Sequence, residues 1–198
     1  MGLEIDYIPG QTPLDEEEKD GLLFANIATH RQLDEYEQKN IEEAIVWFLS
    51  RSFKIENVLT EAFVRSLHKR MYGEVWAWAG EFRKTNKNIG VDKWDIGTAL
   101  KNLLDDAKYW IDNTIYTPDE IAVRFKHRLV SIHCFSNGNG RHSRLMGDLL
   151  VHKIFKLPLF SWGASNLSLH SDARKKYLKA VKAADRNDIE PLLLFARS

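Results

Sequence analysis

Residues 131–144 read SIHCFSNGNGRHSR and join two apolar segments of the chain. His133 ends the first segment, and Gly138 and Gly140 lie between the two. The second segment opens with Arg141 and Arg144, whose separation of three places both side chains on one face of a helix. Because glycine permits backbone conformations that side chains forbid, we expect both glycines to form a turn between two helices.

A helix that starts after the glycines would present N–H groups without intrahelical acceptors and a partial positive charge. The two arginines add planar donors that suit phosphate oxygens. His133 accepts a proton near neutral pH. The pattern therefore indicates a phosphate site beside a general base, which suits transfer of a phosphate-linked group to a hydroxyl.

Ordinary structural interpretations of the same residues stay open. A Gly-x-Gly sequence is often only a turn, and a histidine at a helix end is often a cap or a core residue. Arg144 is placed to pair with Asp148, four residues later. A Walker loop is excluded because no Gly-Lys-Ser/Thr follows the glycines. A metal cluster is disfavoured, since His127 and His133 are too far apart to chelate from one helix turn.

Apolar residues recur at helical spacing over most of the chain after residue 40. Thr117, Pro118 and Glu120 form a helix start with a cap, a first-turn proline and a capping box. Residues 83–96 are polar around Gly90, which predicts a loop or a small hairpin. Helices are predicted near residues 41–49, 59–67, 100–111, 117–132, 141–154, 172–184 and 188–197. The predicted fold class is all-α with a minor β element.

Composition bounds the function. The chain has 198 residues, of which 44% are hydrophobic and 28% charged, as in a single globular domain. Zero net charge argues against nucleic-acid binding, which usually needs a basic surface. The single cysteine, Cys134, favours a reducing compartment. Signal-peptide and membrane-spanning patterns are lacking, so we expect a cytoplasmic protein with no membrane partner.

The string from His133 to Arg144 resembles the signature of the Fic family, H-x-F-x-(D/E)-G-N-G-R-x-x-R, and departs from it only at Asn137. LHKRMYG at residues 67–73 and WAGEFR at residues 78–83 resemble the segment before the family's active-site flap. The resemblance extends over residues 40–198 and is greatest to the group called mobile mystery protein B. It implies a Fic-fold helical bundle with a small β-hairpin flap over residues 41–198, preceded at residues 1–40 by an N-terminal arm with a short helical segment.

The resemblance implies transfer of AMP from ATP to a Tyr, Ser or Thr hydroxyl of a target protein. His133 would be the general base, and Phe135 a buried anchor of the loop. The flap would clamp the target as an added strand. The implied nucleotide- and phosphate-binding residues are Asn137, Gly138, Asn139, Gly140, Arg141 and Arg144; the implied flap residues are Thr85, Asn86, Lys87, Asn88, Ile89, Gly90 and Val91.

Asn137 stands where the family usually has an acidic ligand for Mg²⁺. Its neutral carbonyl oxygen is a weaker ligand for a hard cation, so Mg²⁺ would depend more on the ATP phosphates. Three activities stay open at this point. They are a slow AMP transferase, a transferase with another phosphate-linked donor, and a nucleotide-binding regulatory module.

The resemblance also has an implication for regulation. Many Fic proteins carry an inhibitory helix whose glutamate pairs with the second motif arginine, here Arg144. Glu37 lies in a degenerate version of that pattern, which Leu33 and Gln38 break. We therefore expect Glu37 to lie on a solvated acidic face. A separate inhibitor protein, as in toxin–antitoxin pairs, is implied by the resemblance alone.

Overall fold

The computed structural model of the protein describes residues 14–24, 27, 29–163 and 172–198. No helix in this part of the chain combines the length and the apolar character that crossing a membrane requires. The helices are α1 Glu16–Lys19, α2 His30–Leu49, α3 Ile55–Val58, α4 Glu61–Tyr72, α5 Ile96–Asp112, α6 Pro118–Ile132, α7 Asn139–Leu149, α8 Asp172–Ala184 and α9 Glu190–Arg197. A turn of 3-10 helix, Lys93–Asp95, precedes α5, and a π-helical stretch, Leu150–Ile154, follows α7.

Helix α6 is the centre of the bundle. It packs against α5, α7 and α9, while α2 packs on α4 and α8 on α9. Because neighbours surround it, α6 buries apolar side chains such as Phe125 and Leu129 and also the charged side chain of Lys126. This packing brings the end of α6 and the start of α7 together with α2 and α4.

The ends of α6 have clear physical causes. The Thr117 hydroxyl accepts a hydrogen bond from the Glu120 N–H at 3.3 Å, as the sequence predicts. The Glu120 carboxylate pairs with Arg124 at 2.8 Å, a contact that the predicted capping box did not include. At the other end, His133 adopts a left-handed conformation with φ 58° and ψ 60°, and the helix stops there.

Helix α2 begins earlier than the sequence periodicity predicts. Thr29 and Gln32 form a capping box, in which the Thr29 side chain accepts from the Gln32 N–H. The helix then runs without interruption through residue 40, where the arm and the Fic domain were predicted to meet. Of the predicted arm, residues 1–13 lie outside the described residues.

The predicted β-hairpin flap is not confirmed, whereas the all-α class is. Residues 84–92 contain no strand, and within the described ranges the one isolated β-bridge joins Leu22 to Trp76. The guanidinium of Arg83 donates to the carbonyls of Thr85, at 2.8 Å, and Val91. The segment therefore folds around a side chain, and these two carbonyls are not available for cross-strand pairing.

Candidate active site

The loop between α6 and α7 needs a glycine at position 138. Gly138 has φ 76°, and a Cβ atom there would lie 2.5 Å from the ring of Tyr72. Gly140 differs, because it lies within α7 and a Cβ atom would meet nothing within 4 Å. The prediction that Gly140 also forms the turn is wrong. Its missing side chain instead leaves open space beside the first turn of α7.

The interior of the loop is held by buried side chains. Asn139 accepts a hydrogen bond from the N–H of Phe135 at 3.0 Å and donates to its carbonyl at 2.7 Å. The buried Phe135 ring stacks on His68, with centroids 3.7 Å apart. His68 Nδ1 accepts from the Gly80 N–H at 3.0 Å, so its Nε2 carries the proton and donates to the Asn137 carbonyl at 3.1 Å. The loop is therefore preorganised, and the Asn139 side chain faces inward.

His133 is buried at the end of α6 with the flap against it. A Cβ atom at Gly90 would lie 2.6 Å from the His133 Cβ. Burial, and then the cation of Arg83, lowers the His133 pKa to about 4. The imidazole is therefore neutral at pH 7 and able to accept a proton.

Arg141 is bound by a residue that was expected to be solvated. Its Nη1 lies 2.7 Å from Glu37 Oε2, and Trp76 Nε1 donates to Glu37 Oε1 at 2.7 Å. Glu37 is only 3% exposed, so the predicted solvated acidic face is wrong at this position. Burial alone would lower the Arg141 pKa, but Glu37 reverses the effect and raises it.

Arg144 lies in different surroundings. Its guanidinium carbon is 5.4 Å from the centroid of the Tyr177 ring, and Lys126 Nζ donates to the Tyr177 hydroxyl at 2.6 Å. Burial opposes ionisation of Tyr177, but Lys126 and Arg144 outweigh it and lower the pKa to about 8. Asp148, the alternative partner of Arg144 in the sequence, instead accepts a hydrogen bond from Trp162 at 3.0 Å.

The predicted metal ligand is already engaged. Asn137 Oδ1 accepts a hydrogen bond from the Gly138 N–H at 2.6 Å. Across the described ranges, no three His, Cys, Asp or Glu residues are grouped so that they could hold a metal ion. Asn137 therefore offers a metal ion one neutral oxygen that already accepts a hydrogen bond.

The flap is fastened to the N-terminal arm. Lys87 Nζ lies 3.0 Å from Asp15 and also pairs with Glu18, and the Thr85 hydroxyl donates to Glu18 at 3.3 Å. The middle of the flap is exposed, including the apolar side chain of Ile89. The predicted flap residues 85–91 thus lie between the arm on one side and His133 on the other.

Sequence reasoning missed several residues of this site. They lie outside the loop, so the spacing within it does not include them, although His68, Tyr72 and Arg83 fall within residues 67–73 and 78–83, which resemble the family's segment before the flap. The partial inhibitory pattern around Glu37 was a second signal, and its interpretation as a solvated face was wrong. The contributing residues are Glu37 of α2, His68 and Tyr72 of α4, Arg83 before the flap, and Lys126 of α6.

The geometry places the N-terminus of α7 and two arginines beside a buried histidine, the arrangement that the sequence predicts for an anion site. Residues 58–151 match the model of the Fic/DOC family. It is 25% identical over 170 residues to the protein adenylyltransferase Fic of Aedes aegypti, covering 83% of this chain and 32% of that protein. The Drosophila grimshawi protein of the same name is similar to the same extent, with 33% of its length covered. The chain spans about a third of the length of these curated relatives.

Solved structures share the fold. BepC of Bartonella tribocorum with bound AMPPNP has a TM-score of 0.67 at 16% identity, with 92% of this chain and 97% of that chain covered. Fic-1 of C. elegans has a TM-score of 0.69 at 19% identity, with 90% of this chain and 51% of that chain covered. The described residues thus form a Fic fold.

Proposed function

We propose that this chain is a protein adenylyltransferase that moves AMP from ATP to a Tyr, Ser or Thr hydroxyl of a target protein. The observation that carries the proposal is the neutral, buried His133 next to the N-terminus of α7, from which Arg141 and Arg144 project. The curated relatives named protein adenylyltransferase support the same activity.

The reaction is a single displacement at the α phosphorus. His133 takes the proton from the target hydroxyl as its oxygen forms a bond to the α phosphorus. The bond from the α phosphorus to the bridging oxygen breaks, and pyrophosphate leaves. Backbone N–H groups of Asn139 and Gly140, in the first turn of α7, face the phosphates, and the two arginines neutralise the charge that moves onto the leaving group.

The flap would hold the target segment. Its exposed middle, including Asn88 and Ile89, is free of the ion pairs with which the arm holds Lys87. Gly90 places this backbone against His133, so a target segment lying along the flap would present its hydroxyl to the imidazole. A cytoplasmic target fits the single, buried Cys134, and an inhibitor protein would act on the same face.

Mg²⁺ would enter with ATP and would help to neutralise the charge of the phosphates. Asn137 offers it one neutral oxygen, which Gly138 already occupies. Asn137→Asp should therefore raise Mg²⁺-dependent transfer by about threefold to tenfold, because a carboxylate is a better ligand for a hard cation. Initial rates over a Mg²⁺ titration measure the change. An unchanged rate at every Mg²⁺ concentration would contradict this account of position 137.

The state described here keeps Arg141 from a nucleotide. A carboxylate and a phosphate would compete for the same guanidinium, so Glu37 has to withdraw before Arg141 binds the triphosphate. The contact is made to the first motif arginine, whereas the family pattern led us to consider the second. Turnover would therefore be slow in the absence of a signal that moves α2.

A second candidate function is a nucleotide-binding regulatory module with little turnover, or a transferase with another phosphate-linked donor. Asn137 and the Glu37–Arg141 pair favour this second candidate, since both would lower the rate of transfer more than they would lower the affinity for the nucleotide. ATP binding alone does not separate the candidates, because the same loop serves both.

Labelling with ATP carrying α-³²P separates them. Purified protein with Mg²⁺ is incubated alone and with a cytoplasmic lysate, beside His133→Ala. His127→Ala is the matched control, because His127 lies on the same helix and pairs with Asp185 at 2.8 Å. We expect label on protein with the natural chain and with His127→Ala, and no label with His133→Ala.

Absence of label with ATP still bound in calorimetry would favour the regulatory module or another donor. Absence of both label and binding would reject the phosphate site itself.

A further inference from the structure

Arg83 connects the flap to the catalytic histidine through backbone oxygens. Its Nε donates to the carbonyl of His133 at 2.6 Å, its Nη1 to Thr85 at 2.8 Å, and its Nη2 to Val91. The side chain is 3% exposed. One guanidinium thus binds three carbonyls, one from the histidine and one from each end of the flap.

The main chain on either side of the flap completes the arrangement. The Val91 N–H donates to the Ile132 carbonyl at 3.3 Å, and the Arg83 N–H to the Cys134 carbonyl at 2.9 Å. Carbonyls at a helix end have no intrahelical donor and need partners from elsewhere. Here the flap supplies them, so the end of α6 and the flap hold each other.

The left-handed backbone of His133 makes this contact consequential. A residue with a side chain is disfavoured at φ 58°, so contacts with its surroundings help to keep it there. The Arg83 Nε bond to the His133 carbonyl is one such restraint, and the contact of Gly90 with the His133 Cβ is another. The carbonyl and the imidazole are both carried by the His133 Cα, so a displacement of the backbone at this residue moves both.

We propose that Arg83 is a positioning residue that sets the orientation of His133 and the register of the target-binding flap as one unit. The proposal rests on the proposed transferase function for its consequence in turnover. Only an arginine fits the role, because its planar fork donates in several fixed directions, whereas lysine has one compact ammonium. Arg83 lies outside the phosphate site, so its loss should spare the affinity for ATP.

Two variants separate hydrogen bonding from charge. Arg83→Lys keeps the cation and loses the fork, and Arg83→Met loses both. Both should reduce transfer to the target by about tenfold to a hundredfold, since misplacement of a reacting group by roughly 1 Å costs that much. The KM for the target should rise with the fall in kcat, and the calorimetric Kd for ATP should not change.

Two measurements do not depend on activity. Amide hydrogen exchange in residues 84–92 should be faster in both variants than in the natural protein. The His133 pKa, followed by NMR and assigned with His133→Ala, should rise from about 4 in Arg83→Met and stay low in Arg83→Lys, because the nearby cation contributes to its depression. Arg65→Met is the matched control, since Arg65 also donates to a carbonyl, that of Gly80, at 2.9 Å.

Unchanged flap exchange together with an unchanged His133 pKa in Arg83→Met would overturn the proposal. If the natural protein transfers no AMP, the proposed function fails. The hydrogen exchange and the His133 pKa still test whether Arg83 positions the flap and His133. If neither Arg83 variant folds, Gly90→Ala decides, because its methyl group would lie 2.6 Å from the His133 Cβ and 3.0 Å from Arg83 Nη2 and so would separate the flap from both residues. It should lower transfer with the ATP Kd unchanged, and full activity would overturn the proposal.

Discussion

Arg141 and Arg144 lie three residues apart on α7, yet their surroundings carry opposite charge. Arg141 is paired with the buried carboxylate of Glu37. Arg144 lies beside Tyr177, with the cation of Lys126 bound to the same hydroxyl. Arg174 also lies near Arg144. Burial, and then the charge of Arg144, lower the Arg174 pKa.

The difference separates two roles within one motif. Arg144 lies near the cations Lys126 and Arg174, and burial raises the pKa of its acidic neighbour Asp148 to about 7, so this carboxyl is only partly charged at pH 7. An anion would therefore relieve repulsion there, which suits a phosphate site. Arg141 already has an anion, so a phosphate would have to displace Glu37. The sequence motif alone assigns both arginines the same role. Their surroundings indicate that Arg144 is available to bind a phosphate, whereas Arg141 is available only after Glu37 has moved away.

The largest expected effect is on stability. Arg141→Ala leaves Glu37 buried without its counter-ion and should lower the free energy of unfolding by about 3 kcal/mol. Arg144→Ala removes a cation from a cationic region and should leave the free energy of unfolding nearly unchanged. Urea unfolding of the two variants measures the contrast. Equal losses in both would show that the two surroundings do not differ as described.

The next effect is on nucleotide affinity. Arg144→Ala should weaken ATP binding by about tenfold to a hundredfold, the size expected for one charge-assisted contact of 1.5–3 kcal/mol. Calorimetry measures it, with Arg128→Ala as the control, because Arg128 pairs on the surface with Asp106 at 2.6 Å. ATP affinity that survives Arg144→Ala would move the phosphate site away from this residue.

Releasing Arg141 tests the switch. Glu37→Gln keeps the shape and the Trp76 hydrogen bond but removes the charge, so ATP affinity and transfer should rise by about tenfold. Glu35→Gln is the control, since Glu35 lies exposed on the same helix and pairs with Arg31. A loss of affinity, or the same gain in both variants, would remove Glu37 from regulation.

The smallest effect is a dependence on pH. The Tyr177 pKa is lowered to about 8, so the phenol gains a negative charge as the pH rises through that value. Arg144 then acquires an anionic partner, as Arg141 already has. ATP binding should weaken by about twofold to fivefold between pH 7 and 9. Tyr177→Phe should reduce this change and leave the part that Asp148, whose pKa is raised to about 7, contributes. A pH dependence that is undiminished in Tyr177→Phe would show that Tyr177 is not its cause.

Local patterns in the sequence determined the helices and the loop. Apolar spacing predicted α5, α6 and the two C-terminal helices because a helix face depends on neighbours three and four residues apart. Thr117 capped α6 as predicted. The fixed spacing from His133 to Arg144 predicted the loop because consecutive residues form it, although His68 and Tyr72 of α4 pack against it.

Only the tertiary structure decided what those residues contact. The packing of α2 on α4 buries Glu37 beside Arg141, although the sequence around Glu37 is polar and resembles a solvated face. Arg83 replaces the predicted hairpin with a segment folded around a guanidinium. Such contacts join residues far apart in the chain, and their energies depend on burial and charge that no local pattern records.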